Sequence, residues 1–381
     1  MQTLREKIGQ LFIIGFEGDS WNPALEELLR EVYPGGVIFL PRNITTAQSF
    51  QRLVRQIRDF LAGLSLPVPF LAIDLEGGSV DRLRDVLAPL PPAREVARAG
   101  LARQAGQVAG RELAALSLNV DFAPVLDLSS PEAAEVLGSR TVGATPQEVI
   151  PFATDFLEGL TEQGVVGCGK HFPGLGSGRV DSHQKMPRIE KEASQMWEED
   201  LLPFRTLASR LPMVMVAHAC YPALEKAYAL TLNDSSQPLP ASLSPALVSG
   251  LLKGRLGYQG LVLSDDLEMG GVLEGRSVGE AAVAALRAGC DLLLVCRRAE
   301  NVREALETVL QEAARNPDFC ALGEITVQKV LRAKQTLQIK GIPGETSSVD
   351  WESLRQQIHQ FTAEVRRRLS AQPAATEGRR G

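Results

Sequence analysis

Histidine and cysteine are scarce in this chain of 381 residues, with four of the first and five of the second. The cysteines are odd in number and scattered, and Cys168, Cys220 and Cys296 sit in or beside apolar runs. That pattern argues against a disulfide framework or a metal knuckle and fits free buried thiols in a reducing cytoplasm. No segment reaches the ~18 uncharged apolar residues of a membrane span. The first apolar run, Leu11–Phe16, is shorter than a signal-peptide core of ~7–15 residues, and no small-residue cleavage site follows it. Basic runs are missing from the body of the chain. Arg366-Arg367-Arg368 and Arg379-Arg380 stand near the C-terminus, and the formal net charge is −6. Nucleic acid and membrane are therefore not expected partners, and a cytoplasmic location is expected.

What the chain does contain is an alternation. Short apolar runs fall at Leu11–Phe16, Gly36–Leu40, Phe70–Ile73, Val120–Leu126, Val165–Gly169, Met213–Ala217, Gly260–Leu263 and Leu292–Cys296. Most are continuous, as expected for parallel strands covered on both faces. Helical spacing of apolar residues fills the intervals, at Pro23–Tyr33, Thr46–Leu61, Arg94–Leu116, Pro146–Gln163, Ala193–Ser209, Pro245–Leu256, Ser277–Arg287 and Ala299–Ala314. Eight such units predict an α/β fold, a (β/α)8 TIM barrel, as a single domain over residues 1–340. An open doubly wound sheet is the alternative, but Gly15-Phe16-Glu17-Gly18 is a poor dinucleotide fingerprint. Two further helical patterns, Ile325–Ile339 and Trp351–Leu369, are split by a Pro/Gly break. Residues 341–369 are expected to form a C-terminal helical extension, and residues 370–381 a disordered tail.

In such barrels the chemistry gathers where strands end. Here strand two is followed by Arg42-Asn43, strand three by Asp74-Leu75-Glu76, strand four by Asp127, strand five by Lys170-His171, strand six by His218, strand seven by Asp265-Asp266 and strand eight by Arg297-Arg298. Carboxylates and cations together suit a polyhydroxylated ligand. Asp127 and Glu76 could instead be structural partners of an Arg. Two of the four histidines lie within Lys170–His183, where a Gly/Pro loop carries Asp181-Ser182-His183. An Asp beside a His fixes its tautomer and raises its basicity, which makes a general acid/base.

At this point the sequence resembles the family 3 glycoside hydrolases, and within them the bacterial β-N-acetylhexosaminidases of cell-wall recycling. The resemblance spans about residue 5 to about 340 and rests on separated motifs. These are Gly35-Gly36-Val37-Ile38-Phe39-Leu40-Pro41-Arg42-Asn43, Asp74-Leu75-Glu76-Gly77-Gly78-Ser79-Val80-Asp81-Arg82, Asn119–Asp127, the Lys170-His171-Phe172-Pro173-Gly174 loop with Asp181-Ser182-His183, and Ser264-Asp265-Asp266-Leu267-Glu268-Met269. It implies Asp265 as nucleophile and His183, oriented by Asp181, as acid/base, in place of the second carboxylic acid of most retaining enzymes. Asp74, Arg140, Lys170 and His171 match positions that bind the sugar hydroxyls and the acetamido group, and Arg82 a position that supports them. The implied enzyme needs no metal and no cofactor, acts on small N-acetylglucosamine-containing fragments, and is expected to be a monomer.

The chain departs from the family pattern in four places. Leu175 replaces a His, Ser177-Gly178 replace Asp-Thr, Leu75 stands for Gln and Ser79 for Arg. Leu175 is expected to pack the loop in an apolar manner, and the pocket near Ser79 to be altered. Three other readings remain open: a family 3 β-glycosidase of different sugar specificity, a metal-dependent barrel hydrolase using His171, His218 and Asp265, and a silent sugar-binding protein. In the glycosidase reading His218 is a pocket-lining hydrogen-bonder.

Overall fold

The computed structural model describes residues 3–131, 133–134, 137–177, 186–229, 239–273, 275–337 and 349–372. Eight strands close into a parallel barrel: β1 (Phe12–Ile14), β2 (Gly36–Ile38), β3 (Phe70–Ile73), β4 (Val120–Asp121), β5 (Val166–Phe172), β6 (Met213–Val216), β7 (Leu261–Asp266) and β8 (Leu292–Val295). Each pairs with its neighbours in sequence, and β1 closes the ring on β8 with Phe12 opposite Leu293. The expected (β/α)8 barrel is the fold. The strands are mostly apolar, with their charged residues toward the C-terminal ends, because helices cover the outside and side chains fill the inside.

Several elements differ from expectation for identifiable reasons. The helix read as Arg94–Leu116 is two, Ala93–Ala99 and Ala102–Ala115. Gly100 adopts φ 67 and ends the first in a left-handed cap. The helix read as Ala193–Ser209 is also two, Ala193–Glu198 and Leu201–Leu207. Pro203 has no N–H to give the Glu199 carbonyl and crowds it, so the ladder breaks there. β4 stops at Asp121, three residues before Pro124, which has no N–H for a ladder. β5 runs on through Lys170 and His171, which makes both strand residues.

The helix Pro317–Thr336 packs at the N-terminal end of the barrel and starts earlier than the periodicity suggested because Asn316 caps it. Its Lys329 reaches Asp291 at 2.7 Å and its buried Lys334 reaches Gln10 Oε1 at 3.0 Å. Burial pulls the Lys334 ammonium down to about 7. The last helix, Trp351–Ser370, buries Leu354, Ile358, Phe361 and Val365 at three- and four-residue spacing, against Ala93–Ala99 and Ala102–Ala115. It extends through Ser370, one residue into the segment expected to be disordered, and Gln372 still donates to the Arg98 carbonyl at 2.6 Å. Residues 373–381 lie outside the described residues. No described helix is long and apolar enough to cross a membrane.

Candidate active site

The segment after β3 lays down the first wall of the site. A short hairpin there pairs Leu75–Gly77 with Val80–Asp81. Gly77 and Gly78 turn it at φ 79 and 60, a region that favours glycine. Alternation along the extended segment sends Asp74 and Glu76 to one side and Leu75 to the other. Leu75 is fully buried, and its N–H donates to Asp121 Oδ1 at 3.0 Å. Ser79 sits exposed at the hairpin tip. Neither residue lines the cavity at the barrel mouth.

Glu76 is the hub of an ion network. Arg140 grips it with both arms of the guanidinium, Nε to Oε2 at 2.7 Å and Nη2 to Oε1 at 2.9 Å. Lys170 Nζ bonds Glu76 at 2.6 Å and Asp74 at 2.7 Å. Arg82 Nη2 stands 3.7 Å from Asp74. Burial opposes the charge on Glu76, but Lys170 and Arg140 more than offset it and hold its carboxyl at about 2. Burial likewise opposes the charge on Lys170, and Asp74 and Glu76 reverse it, so the ammonium stays protonated well above its ordinary range.

β5 carries the next group. His171 Nδ1 meets Asp127 Oδ2 at 2.7 Å, and the other oxygen of Asp127 accepts the backbone N–H groups of His171 at 3.3 Å and Leu175 at 2.7 Å. Asp127 thus orients an imidazole and pins the start of the loop beyond it. It is not the Arg partner that the sequence allowed. Leu175 is buried against the cavity, as its apolar character suggested. Tyr221 and Ser130 hold the same loop by donating to the carbonyls of Gly174 and Gly176.

At the end of β7, Asp265 Oδ1 accepts the Asp266 N–H at 2.8 Å. Burial raises the cost of ionising Asp265, but His218, His171, that N–H and Lys170 outweigh it and keep the carboxyl below the usual range. Asp266 is different. Burial, joined by the Glu268 and Asp265 charges, raises it to about 6 against the pull of Arg297. Its Oδ1 accepts the N–H groups of Glu268 at 3.1 Å and Cys296 at 3.2 Å, tying β7 to β8.

Together these groups enclose a cavity of about 270 Å³ at the C-terminal end of the barrel. Asp265, Asp74, Arg82, Arg140, Lys170 and His171 all line it, with Glu76 and Asp266 and the apolar walls of Phe122, Met215 and Met269. Of the residues singled out from sequence, Asp181 and His183 lie outside the described residues. His218 does not line the cavity. It is fully buried, with Nδ1 2.7 Å from Ser242 Oγ and Nε2 3.0 Å from the Asp266 carbonyl. Both ring nitrogens are thus engaged, which removes His218 as a metal ligand in this arrangement. Sequence reasoning missed Ser242, a turn residue whose chemistry no periodicity reports. A larger hollow of about 790 Å³ lies at the opposite end, among Asn119, Val165, Leu211 and Leu337. Its charged residues are Glu162 and Arg210, which pair with Arg103 and Glu158.

A closed (β/α)8 barrel with an ionised Asp and an acid–cation network at its C-terminal mouth defines a barrel enzyme for a polar ligand. The family model described as glycosyl hydrolase family 3 N terminal domain matches residues 3–332. The chain belongs to glycosyl hydrolase family 3. A beta-hexosaminidase from Idiomarina loihiensis is 33% identical over 305 residues, 78% of this chain and 87% of the relative. A beta-hexosaminidase from Alkalilimnicola ehrlichii is 35% identical over 304 residues, 77% of this chain and 82% of the relative. Among solved structures, a family 3 β-N-acetylglucosaminidase from Paenibacillus sp. superposes with a TM-score of 0.84 at 30% identity, covering 96% of this chain and 69% of that one. A β-N-acetylhexosaminidase from Beutenbergia cavernae gives 0.76 at 27% identity, covering 88% and 99%.

Proposed function

We propose that this protein is a retaining β-N-acetylhexosaminidase that releases terminal β-linked N-acetylglucosamine from peptidoglycan fragments or related oligosaccharides. The observation that carries the reading is Asp265: a carboxylate held ionised at the end of β7, lining a cavity shared with Lys170, Arg140 and Asp74. Asp265 attacks the anomeric carbon while the glycosidic oxygen leaves with a proton from His183. The covalent glycosyl ester is then opened by water, which gives a proton back to His183. Two inversions at one carbon retain its configuration. Asp181 orients His183, and an imidazole suits both transfers because its unperturbed pKa of ~6.5 already lies near neutral pH.

Lys170 and Arg140 supply donors to sugar and acetamido oxygens, Asp74 accepts from hydroxyls, and His171, braced by Asp127, adds a polar contact beside the nucleophile. Arg82 supports Asp74. The names of the relatives and the motif around Asp181 and His183 support the N-acetyl preference. The proposal includes a cytoplasmic monomer acting on small fragments, supported by scattered free thiols among the described residues. Among the described residues no group of three His, Cys, Asp or Glu could hold a metal ion, which weighs against the metal-dependent reading.

The test is a panel of aryl β-glycosides with and without the 2-acetamido group. A site built to pair with the acetamido group leaves buried polar groups unpaired when it is missing, and discrimination of about 10⁴-fold in kcat/KM is expected. Comparable values for aryl N-acetylglucosaminide and aryl glucoside would defeat the N-acetyl reading and leave another family 3 specificity. No turnover of either would leave a silent binding protein.

A further inference from the structure

One buried imidazole has no part in the chemistry above. His218 follows β6, is shielded from solvent, and lies beside the nucleophile strand without lining the cavity. Its two contacts determine its protonation. Nε2 is 3.0 Å from the Asp266 carbonyl, which can only accept, so Nε2 carries a proton. Nδ1 is 2.7 Å from Ser242 Oγ, whose hydroxyl can donate to the lone pair of a neutral ring. Ser242 is itself fixed, by its own N–H to the Ala217 carbonyl at 3.2 Å in the turn Ala241–Leu243. Burial lowers the His218 pKa below its ordinary value, against the pull of Asp265, which agrees with a neutral ring at neutral pH; the His218 charge favours the Asp265 carboxylate only in acid.

The carbonyl that His218 holds belongs to the residue that positions the nucleophile. The Asp266 N–H donates to Asp265 Oδ1 at 2.8 Å, and this fixes the carboxylate rotation and leaves Oδ2 as the oxygen free to attack. The Asp266 side chain is anchored to β8 through Cys296 N–H. His218 anchors the same residue from β6 through its main chain. We infer that His218 is a positioning residue for catalysis: the accept-only Asp266 carbonyl requires its Nε2–H tautomer, Ser242 Oγ partners Nδ1 and holds the ring in place, and the bond to the Asp266 carbonyl fixes the backbone that aims Asp265. The inference rests on the reading of Asp265 as the nucleophile.

The test compares His218→Leu, which loses the donor, with His218→Gln, whose amide nitrogen can replace Nε2–H, and with Ser242→Ala. Misplacing the reacting group by a fraction of an ångström leaves the sugar contacts intact. His218→Leu is therefore expected to lower kcat about a hundredfold on aryl N-acetylglucosaminide with little change in KM. His218→Gln recovers much of that loss, and Ser242→Ala falls between them. Imidazole ¹⁵N shifts, assigned by the signal that His218→Gln removes among four histidines, should report a neutral Nε2–H ring at neutral pH and above.

An unchanged kcat in His218→Leu, equal losses in the Gln and Leu variants, or a charged or Nδ1–H ring would each overturn the inference. Should His218→Leu fail to fold, Ser242→Ala and Ser242→Thr decide: the first must lower kcat and the second restore it, and equal activities overturn the inference. Asp265→Ala is run alongside. If it retains turnover, the nucleophile reading fails and this inference falls with it. If it is inactive while the His218 variants match wild type, only the positioning role fails.

Discussion

Lys170 Nζ lies 2.6 Å from Glu76 Oε1, and both side chains are only 2% exposed. A buried pair of this kind is costly to break from one side, because the remaining charge stays desolvated. Lys170→Met should destabilise the fold by about 3 kcal/mol in denaturant melts. The pH profile adds a sharper signature. The Glu76 carboxyl is depressed in the folded state, so its contribution is present above its unfolded value of 4.5 and lost as pH falls toward about 2. Without Lys170 the folded value rises, so the acid-side loss of stability becomes smaller and is complete at a higher pH. Superimposable acid limbs for variant and wild type would contradict this account.

Glu112 predicts the opposite sign. It is fully buried in Ala102–Ala115, and neither side-chain oxygen has a partner among the described residues. Burial, reinforced by Asp81 and Asp121, raises its pKa well above the ordinary value. A raised carboxyl binds its proton in the folded state, so stability is full below the unfolded pKa of 4.5 and falls as pH rises above it. Glu112→Gln keeps the shape and removes the proton. Relative to wild type it should gain about 1.4 kcal/mol per pH unit above that value, until the folded group ionises. Melts at pH 4 and pH 7 measure the slope, and a constant difference between the two proteins would count against a protonated Glu112.

The barrel was legible because buried parallel strands are written as continuous apolar runs, and Phe70–Ile73 matches its run end to end. The site was partly legible for a related reason: a charge at the end of such a run faces the mouth, which located Asp74, Lys170 and Asp265. Pairings were not legible. Asp127 and His171 are 44 residues apart, and nothing local says that this carboxylate serves an imidazole instead of an Arg. His218 follows β6 as Lys170 and His171 lie near the end of β5, yet it is buried under the Asp266 backbone, since residues at strand ends can face the cavity or the layer behind it. Helix breaks at Gly100 and Pro203 were visible as residues but were overridden by apolar periodicity running through them.

Asp265→Ala should lose turnover by at least about 10⁴-fold while still folding cooperatively, because its removal deletes the bond-forming group. A fluorinated N-acetylglucosaminyl substrate that accumulates the glycosyl ester should leave the sugar on the peptide containing Asp265. Labelling on Asp266 would move the nucleophile by one residue.

His183 is tested by the leaving group. In His183→Ala, aryl N-acetylglucosaminides with acidic phenols should form the glycosyl ester at close to the wild-type rate, since a stable phenolate departs without a proton. Those with weakly acidic phenols should slow by about 10²- to 10⁴-fold in kcat/KM. The second step loses its base whatever the phenol was, so the ester should accumulate with the best leaving groups and appear as a burst. Azide needs no base. It should open the ester, speed turnover of those substrates, and give the β-glycosyl azide. Asp181→Asn should show the same leaving-group slope in milder form, because the imidazole is present but less well oriented. An equal loss for every leaving group, with no burst and no azide effect, would make His183 a substrate-binding residue and require the proton donor to be sought elsewhere.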